Sequence, residues 1–170
     1  MHKGKKVLGI IPARGGSKRL PKKNIVYLGN KPLIAWSIQA AQQTDVLDKI
    51  IVSTEDSEIE RIAIEWGISE VIRRSKGLSD DRATTNAVVL EVLKMLKERG
   101  ECFEYVALLQ PTSPLRTAAH IEYAFNLMEE KNAVGVVGVC KTEHPVEWMG
   151  KIPKDGFMDS FILNTTLEKN

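Results

Sequence analysis

Short apolar runs recur along the chain, and between them lie stretches in which apolar side chains return every three or four positions. Val7-Leu8-Gly9-Ile10-Ile11, closed by Pro12, predicts a buried strand. Lys49–Thr54, Glu70–Ile72, Tyr105–Leu109 and Ala133–Val137 predict further strands. These runs are nearly continuous in apolar character rather than alternating, which suits a parallel sheet covered on both faces. Ile59, Ile62, Ala63 and Trp66 share one helical face, with Gly67 placed to end the helix. Val89, Val92, Leu93 and Leu96 repeat the spacing, behind Thr84 or Thr85 as N-cap and ahead of Gly100. Ile121, Ala124, Phe125 and Met128 repeat it again behind Thr117, and Pro32 opens a helix carrying Ile34, Ile38 and Ala41. The alternation predicts a three-layer α/β/α fold with a mostly parallel, Rossmann-like sheet and right-handed crossovers. Such sheets bind ligands beyond the carboxyl ends of their strands, in the loops after Ile11, Thr54, Arg73 and Leu109. From Lys141 onward the alternation stops, so residues 1–140 are expected to form one domain and 141–170 the start of another region.

Composition narrows the class. At 43% hydrophobic and 27% charged residues, the chain reads as an ordinary soluble globular domain. No apolar run reaches the ~18 residues of a membrane span, and the basic N-terminus is too quickly recharged for a secretory signal. The expectations are a cytoplasmic address and no membrane partner. Cys102 and Cys140 match no metal or redox spacing and are expected to be buried, reduced thiols. His2, His120 and His144 join no cluster that suits zinc or a Ser-His-Asp arrangement. Charge is lopsided. Met1 to Thr44 holds nine Lys or Arg and no acid, whereas the rest carries fifteen basic residues against all 22 acidic ones. A positive segment on an acidic body implies an anionic ligand met near the N-terminus.

The positive charges that matter are interleaved with small residues. Pro12-Ala13-Arg14-Gly15-Gly16-Ser17-Lys18-Arg19-Leu20-Pro21-Lys22-Lys23-Asn24 follows the first strand. Adjacent glycines take backbone angles closed to other residues and aim N–H groups into one anion nest. Arg14 grips phosphate oxygens with its planar fork, and Lys18 and Lys23 act as mobile point charges. Several cations around one nest suit a triphosphate better than a monoanion. The spacing G-x-x-x-x-G-K-[ST] is missing, as is G-x-G-x-x-G, which disfavours a P-loop ATPase and a dinucleotide-binding domain.

The stretch from Ile11 to Asn24 resembles the signature of the acylneuraminate cytidylyltransferases (CMP-sialic acid synthetases), a branch of the sugar nucleotidyltransferases. Leu108-Leu109-Gln110-Pro111-Thr112-Ser113-Pro114-Leu115-Arg116 resembles that branch rather than the related 3-deoxy-manno-octulosonate enzymes. The resemblance implies a nucleotide-diphospho-sugar transferase type of fold. It implies CTP and an acidic nonulosonic sugar as partners, and transfer of CMP to the sugar's anomeric hydroxyl with release of pyrophosphate. By position, Pro12, Ala13, Arg14, Gly15, Gly16, Ser17, Lys18, Lys23 and Asn24 would meet the nucleotide, with Arg74 near the cytosine and Thr84 and Thr85 near ribose or base. Lys23 and Arg14 would neutralise charge at the reacting phosphate, and Gln110 would meet the sugar with an amide that both donates and accepts. Where relatives often place Asp after Ser53-Thr54, this chain has Glu55 and then Asp56, an acid with longer reach or one that complements a helix dipole. The resemblance further implies Mg²⁺ and a homodimer. The Mg²⁺ ligands and the rest of the dimerisation and substrate region are expected beyond Asn170, in a chain that looks truncated. Asp80 and Asp81 fit caps or solvated groups better than metal ligands. Two other readings stay open: a nucleotidyltransferase with a GTP or UTP donor or a different sugar, and a non-catalytic anion- or nucleic-acid-binding module. Nucleic acid is the less fitting partner, because the first 44 residues hold only Tyr27 and Trp36 as stacking platforms.

Overall fold

A computed structural model describes residues 4–17, 20–75, 77 and 84–144. The chain separates into two units, Met1–Val136 and Val137–Asn170. In the first, four parallel strands form the sheet: β1 (Val7–Pro12), β4 (Lys49–Thr54), β5 (Val71–Arg73) and β6 (Tyr105–Leu108). Their order is β5-β4-β1-β6, with Ile10 opposite Ile51 on one side and opposite Leu108 on the other. A small hairpin, β2 (Tyr27–Leu28) and β3 (Lys31–Pro32), precedes α1 (Leu33–Gln42). Helices α2 (Ser57–Glu65), α3 (Thr85–Glu98) and α4 (Ala118–Glu130) complete the unit.

Side-chain alternation along the strands sorts the core into two layers. Val7 and Ile11 face a cluster with Ile34 and Ile38 of α1, Ile59 and Ile62 of α2, and Ile121 and Phe125 of α4. Leu8 and Ile10 point the other way, with Ile51 and Ile72, onto Val92 and Leu96 of α3. This is the three-layer arrangement the apolar runs predict, and it follows from the crossover rule. The chain steps from β1 to β4 to β5 in one direction through α1 and α2. It then returns past β1 to β6 through α3, which must lie on the opposite face. The reversal makes the boundary between β1 and β6 the topological switch point, the place where sheets of this kind bind ligands.

Local signals place the helix ends. The Thr84 hydroxyl accepts from Ala87 N–H to cap α3. Thr117 and His120 form a reciprocal capping box at α4. Asp56 accepts from the N–H groups of Glu58 and Ile59 at the start of α2. Gly67, at φ 87°, supplies the left-handed residue that stops α2.

Two expectations fail. Ala133–Val137 forms no strand, and Val134 is fully exposed. Its β-branched composition is strand-like, but a strand needs a hydrogen-bonding neighbour, and none is paired with it among the described residues. Cys102 and Cys140 are both exposed rather than buried; Cys102 falls in the α3–β6 connection and Cys140 after α4.

At the amino edge of the sheet, Lys49 pairs with Glu70 at 2.6 Å and Glu101 at 2.7 Å, and Arg99 reaches Glu70 at 2.6 Å. The Lys49 hydrogen bond, followed by the Lys49 charge and then Arg99, outweighs partial burial and holds the Glu70 carboxyl below its ordinary 4.5. A depressed folded-state pKa stabilises the protein above the unfolded value, and that contribution fades as pH falls through the folded one. Glu70→Gln is therefore expected to cost ~1 kcal/mol near neutrality, with the gap to wild type closing below pH 4.5. Urea denaturation at neutral and acidic pH measures this; a gap unchanged with pH would remove the carboxylate's charge from the account.

Candidate functional site

The carboxyl end of β1 runs directly into the cation-bearing turn. Ala13 N–H donates to Ser53 carbonyl oxygen at 2.9 Å, carrying the β1–β4 pairing one residue past the strand. The turn is then closed from the far side. The amide of Asn24, a buried residue, donates to the Arg14 carbonyl at 2.8 Å. Asn24 belongs to a 3-10 turn, Lys23–Ile25, entered through Lys22 in the left-handed region at φ 53°.

The acids after β4 support the turn from beneath. Glu55 Oε1 accepts the Gly15 N–H at 2.7 Å. Asp56 stands so close that a Cβ on Gly15 would lie 2.3 Å from its Oδ2. Gly16 has open space around it, and neither glycine takes a positive φ. The expected reason for the Gly-Gly pair is thus corrected: Gly15 is required for room against Asp56, not for backbone angles. Ser17 Oγ is buried with no hydrogen-bond partner.

Arg74 follows β5 and folds back onto the same place. Its Nη2 donates to Ser53 carbonyl oxygen at 3.0 Å and its Nε to Ser53 Oγ at 3.2 Å. Ser53 therefore joins Ala13 to Arg74, the pair expected to face the base. Burial first, and then the nearby Arg14 cation, push the Arg74 guanidinium below its ordinary value, while Glu55 and Glu91 oppose the shift. Arg14 and Arg74 are close enough to repel, and the Glu55 carboxylate offsets that repulsion.

Lysines divide by task. Lys22 is held by Glu58 at 2.6 Å, Lys31 lies 3.7 Å from the Trp36 ring centre, and Lys5 donates to the Tyr105 hydroxyl at 2.7 Å. Lys23 has no carboxylate partner among the described residues. Lys18 lies outside the described residues, as do Asp80 and Asp81.

Across the switch point, Gln110 follows β6. Its side-chain amide lies 3.5 Å from the Thr85 hydroxyl, at the first turn of α3. Its carbonyl is approached by Ser113 N–H at 3.2 Å, Arg116 Nη2 at 3.3 Å and Ser37 Oγ at 3.4 Å. Thr84, expected near ribose or base, has its hydroxyl turned to the Ala87 N–H as the α3 cap. The structure thus groups Ala13, Arg14, Gly15, Asn24 and Arg74, and separately pairs Gln110 with Thr85. The residue that sequence reasoning passed over is Ser53; its signal is the polar Ser53-Thr54 pair closing an apolar strand at the ligand edge. A hollow of about 190 Å³ lined by Gln42, Lys49, Ile50 and Gly67 opens at the opposite, amino edge, where strands are entered rather than left and this fold does not place ligands.

A parallel sheet of this order with helices on both faces defines an α/β domain of the Rossmann-like type. Residues 8–151 match the cytidylyltransferase family, and the chain belongs to it. It is 34% identical over 142 residues to the pseudaminic acid cytidylyltransferase of Campylobacter jejuni, covering 84% of this chain and 61% of that protein. It is 36% identical over 151 residues to the CMP-N,N'-diacetyllegionaminic acid synthase of Legionella pneumophila, covering 89% and 65%. The chain thus spans about three fifths of the length of these relatives. The solved structure of CMP:2-keto-3-deoxy-manno-octonic acid synthetase complexed with CTP shares the fold, with a TM-score of 0.63 at 24% identity over 75% of this chain and 49% of that one.

Proposed function

We propose that this chain binds CTP at the turn between Ala13 and Asn24, and that the protein transfers CMP to the anomeric hydroxyl of an N-acylneuraminate-type nonulosonic acid. The observation that carries this is the convergence of Arg14 and Arg74 on a loop whose Gly15 N–H already holds an anionic oxygen. The family, and relatives named for pseudaminic and legionaminic acids, support cytidine as the base and a nonulosonic acid as the acceptor.

In this mechanism the sugar hydroxyl gives up its proton to water and its oxygen bonds to the α-phosphorus as the bond to the bridging oxygen breaks and pyrophosphate leaves. In-line transfer of this kind is accelerated by positioning and by neutralising charge. Lys23 and Arg14 hold the phosphates. Arg74, backed by Ser53, and the Ala13 backbone face the base, and Gln110 orients the sugar beside Thr85. The proposal includes a homodimer that uses magnesium, which rests on the family resemblance, and a cytoplasmic address, which rests on the composition. Among the described residues no three His, Cys, Asp or Glu side chains converge, and Glu55 offers only the one carboxylate oxygen not bound to Gly15. No step here is routed through the metal.

A thermal-shift screen of CTP, GTP, UTP and ATP tests the base. CTP is expected to raise the melting temperature most; stronger stabilisation by GTP or UTP would overturn the assignment. The approach of the Gln110 amide to Thr85 supports a sugar subsite on the β6 side of the sheet.

A further inference from the structure

Glu55 sits where a ligand anion is expected. It leaves β4 just ahead of Asp56, the N-cap of α2, and its Oε1 takes the Gly15 N–H at 2.7 Å. Its other oxygen, Oε2, is buried and has no hydrogen-bond partner. A carboxylate oxygen kept from both water and donors is unfavourable by itself. What repays it here is electrostatic, because the carboxylate lies in the field of Arg74, whose own neighbour is Arg14. Carboxylate and phosphate are interchangeable as anionic acceptors of a backbone N–H. The donor that would serve a phosphate is therefore occupied by the chain's own side chain.

We propose that Glu55 is a positioning residue that pins Gly15 and so holds the phosphate loop in its binding shape, while its charge opposes the anion that enters. The inference rests on the reading of this loop as the triphosphate site. The two effects separate by substitution. Glu55→Gln keeps an acceptor for the Gly15 N–H and removes the charge, whereas Glu55→Ala removes both. Asp56, which packs against Gly15, is locked by its capping bonds at 2.8 and 3.1 Å and does not replace the lost pin.

The test is calorimetric titration of wild type and both variants with inorganic tripolyphosphate and, separately, with CTP. Glu55→Gln is expected to bind tripolyphosphate roughly threefold to tenfold more tightly than wild type, with the gain shrinking as salt is added. Glu55→Ala is expected to bind it several-fold more weakly than Glu55→Gln. Glu55→Gln no tighter than wild type, or equal affinity of the two variants, overturns the proposal. If Glu55→Ala fails to fold, the comparison of wild type with Glu55→Gln still decides. The expected order with tripolyphosphate alongside CTP binding no tighter than tripolyphosphate would leave Glu55's role standing and refute the CTP assignment. Preference for CTP without that order refutes the role of Glu55 alone. No binding of tripolyphosphate by any of the three proteins refutes both.

Discussion

Lys23→Ala is expected to lower CMP transfer by roughly 10²–10³-fold, the usual cost of deleting one preorganised charge at a transition state, and to leave the fold intact. The turn that carries Lys23 is held by its neighbours rather than by Lys23 itself. On one side Lys22 takes the left-handed conformation, and its carbonyl accepts the N–H groups of Ile25 at 2.9 Å and Val26 at 3.2 Å. On the other, Asn24 is buried and ties the turn to Arg14. Truncating a partly exposed side chain between two fixed residues removes a charge and little packing. Lys22→Ala is the matching control: it breaks an exposed ion pair worth little and is expected to change turnover less than about threefold. Steady-state turnover and thermal unfolding of both variants measure this. Near-normal turnover in Lys23→Ala would remove that residue from the chemistry.

Gly15→Ala is expected to weaken nucleotide binding sharply where Gly16→Ala is tolerated. The new methyl at residue 15 would lie 2.3 Å from Asp56 Oδ2 and 2.8 Å from Asp56 Cβ. Asp56 has little room to retreat, because its Oδ1 caps α2 by bonds to Glu58 and Ile59 N–H. Either the cap breaks, at ~1 kcal/mol, or the loop shifts off Glu55 and its donors no longer converge. Such overpacking costs ~1–3 kcal/mol of stability, and the loss of loop geometry is expected to weaken CTP binding by more than about tenfold. At residue 16 a Cβ meets nothing within 4 Å. Titration of both variants with CTP decides it; equal behaviour of the two would contradict the close approach of Asp56.

These two predictions also mark how far the amino-acid sequence could be read. The strands and helices were legible because burial on both faces leaves unbroken apolar runs, and because Thr84, Thr117 and Gly67 stand at helix ends with the chemistry such ends require. Ala133–Val137 misled because composition reports only the willingness to form a strand, while the partner comes from the tertiary fold. The cation-bearing turn was legible from its charge and small residues. The reason for Gly15 was not, since it depends on Asp56, which comes from the next strand-to-helix connection. Glu55 was visible only as an acid of altered reach; its bond to Gly15 joins residues forty positions apart. The convergence of Arg74 on Ser53 was hidden for the same reason, as the register of β4 against β5 and β1 has to be known first.

The central claim is that triphosphate is captured where β1 gives way to its turn. Titration of isotopically labelled protein with CTP, followed by backbone amide resonances, tests it most directly. The largest displacements are predicted at Gly15, Gly16, Ser17, Lys23, Asn24 and Arg74. Displacements centred instead on Gln42, Ile50 and Gly67 at the amino edge, or none at saturating CTP, would contradict it.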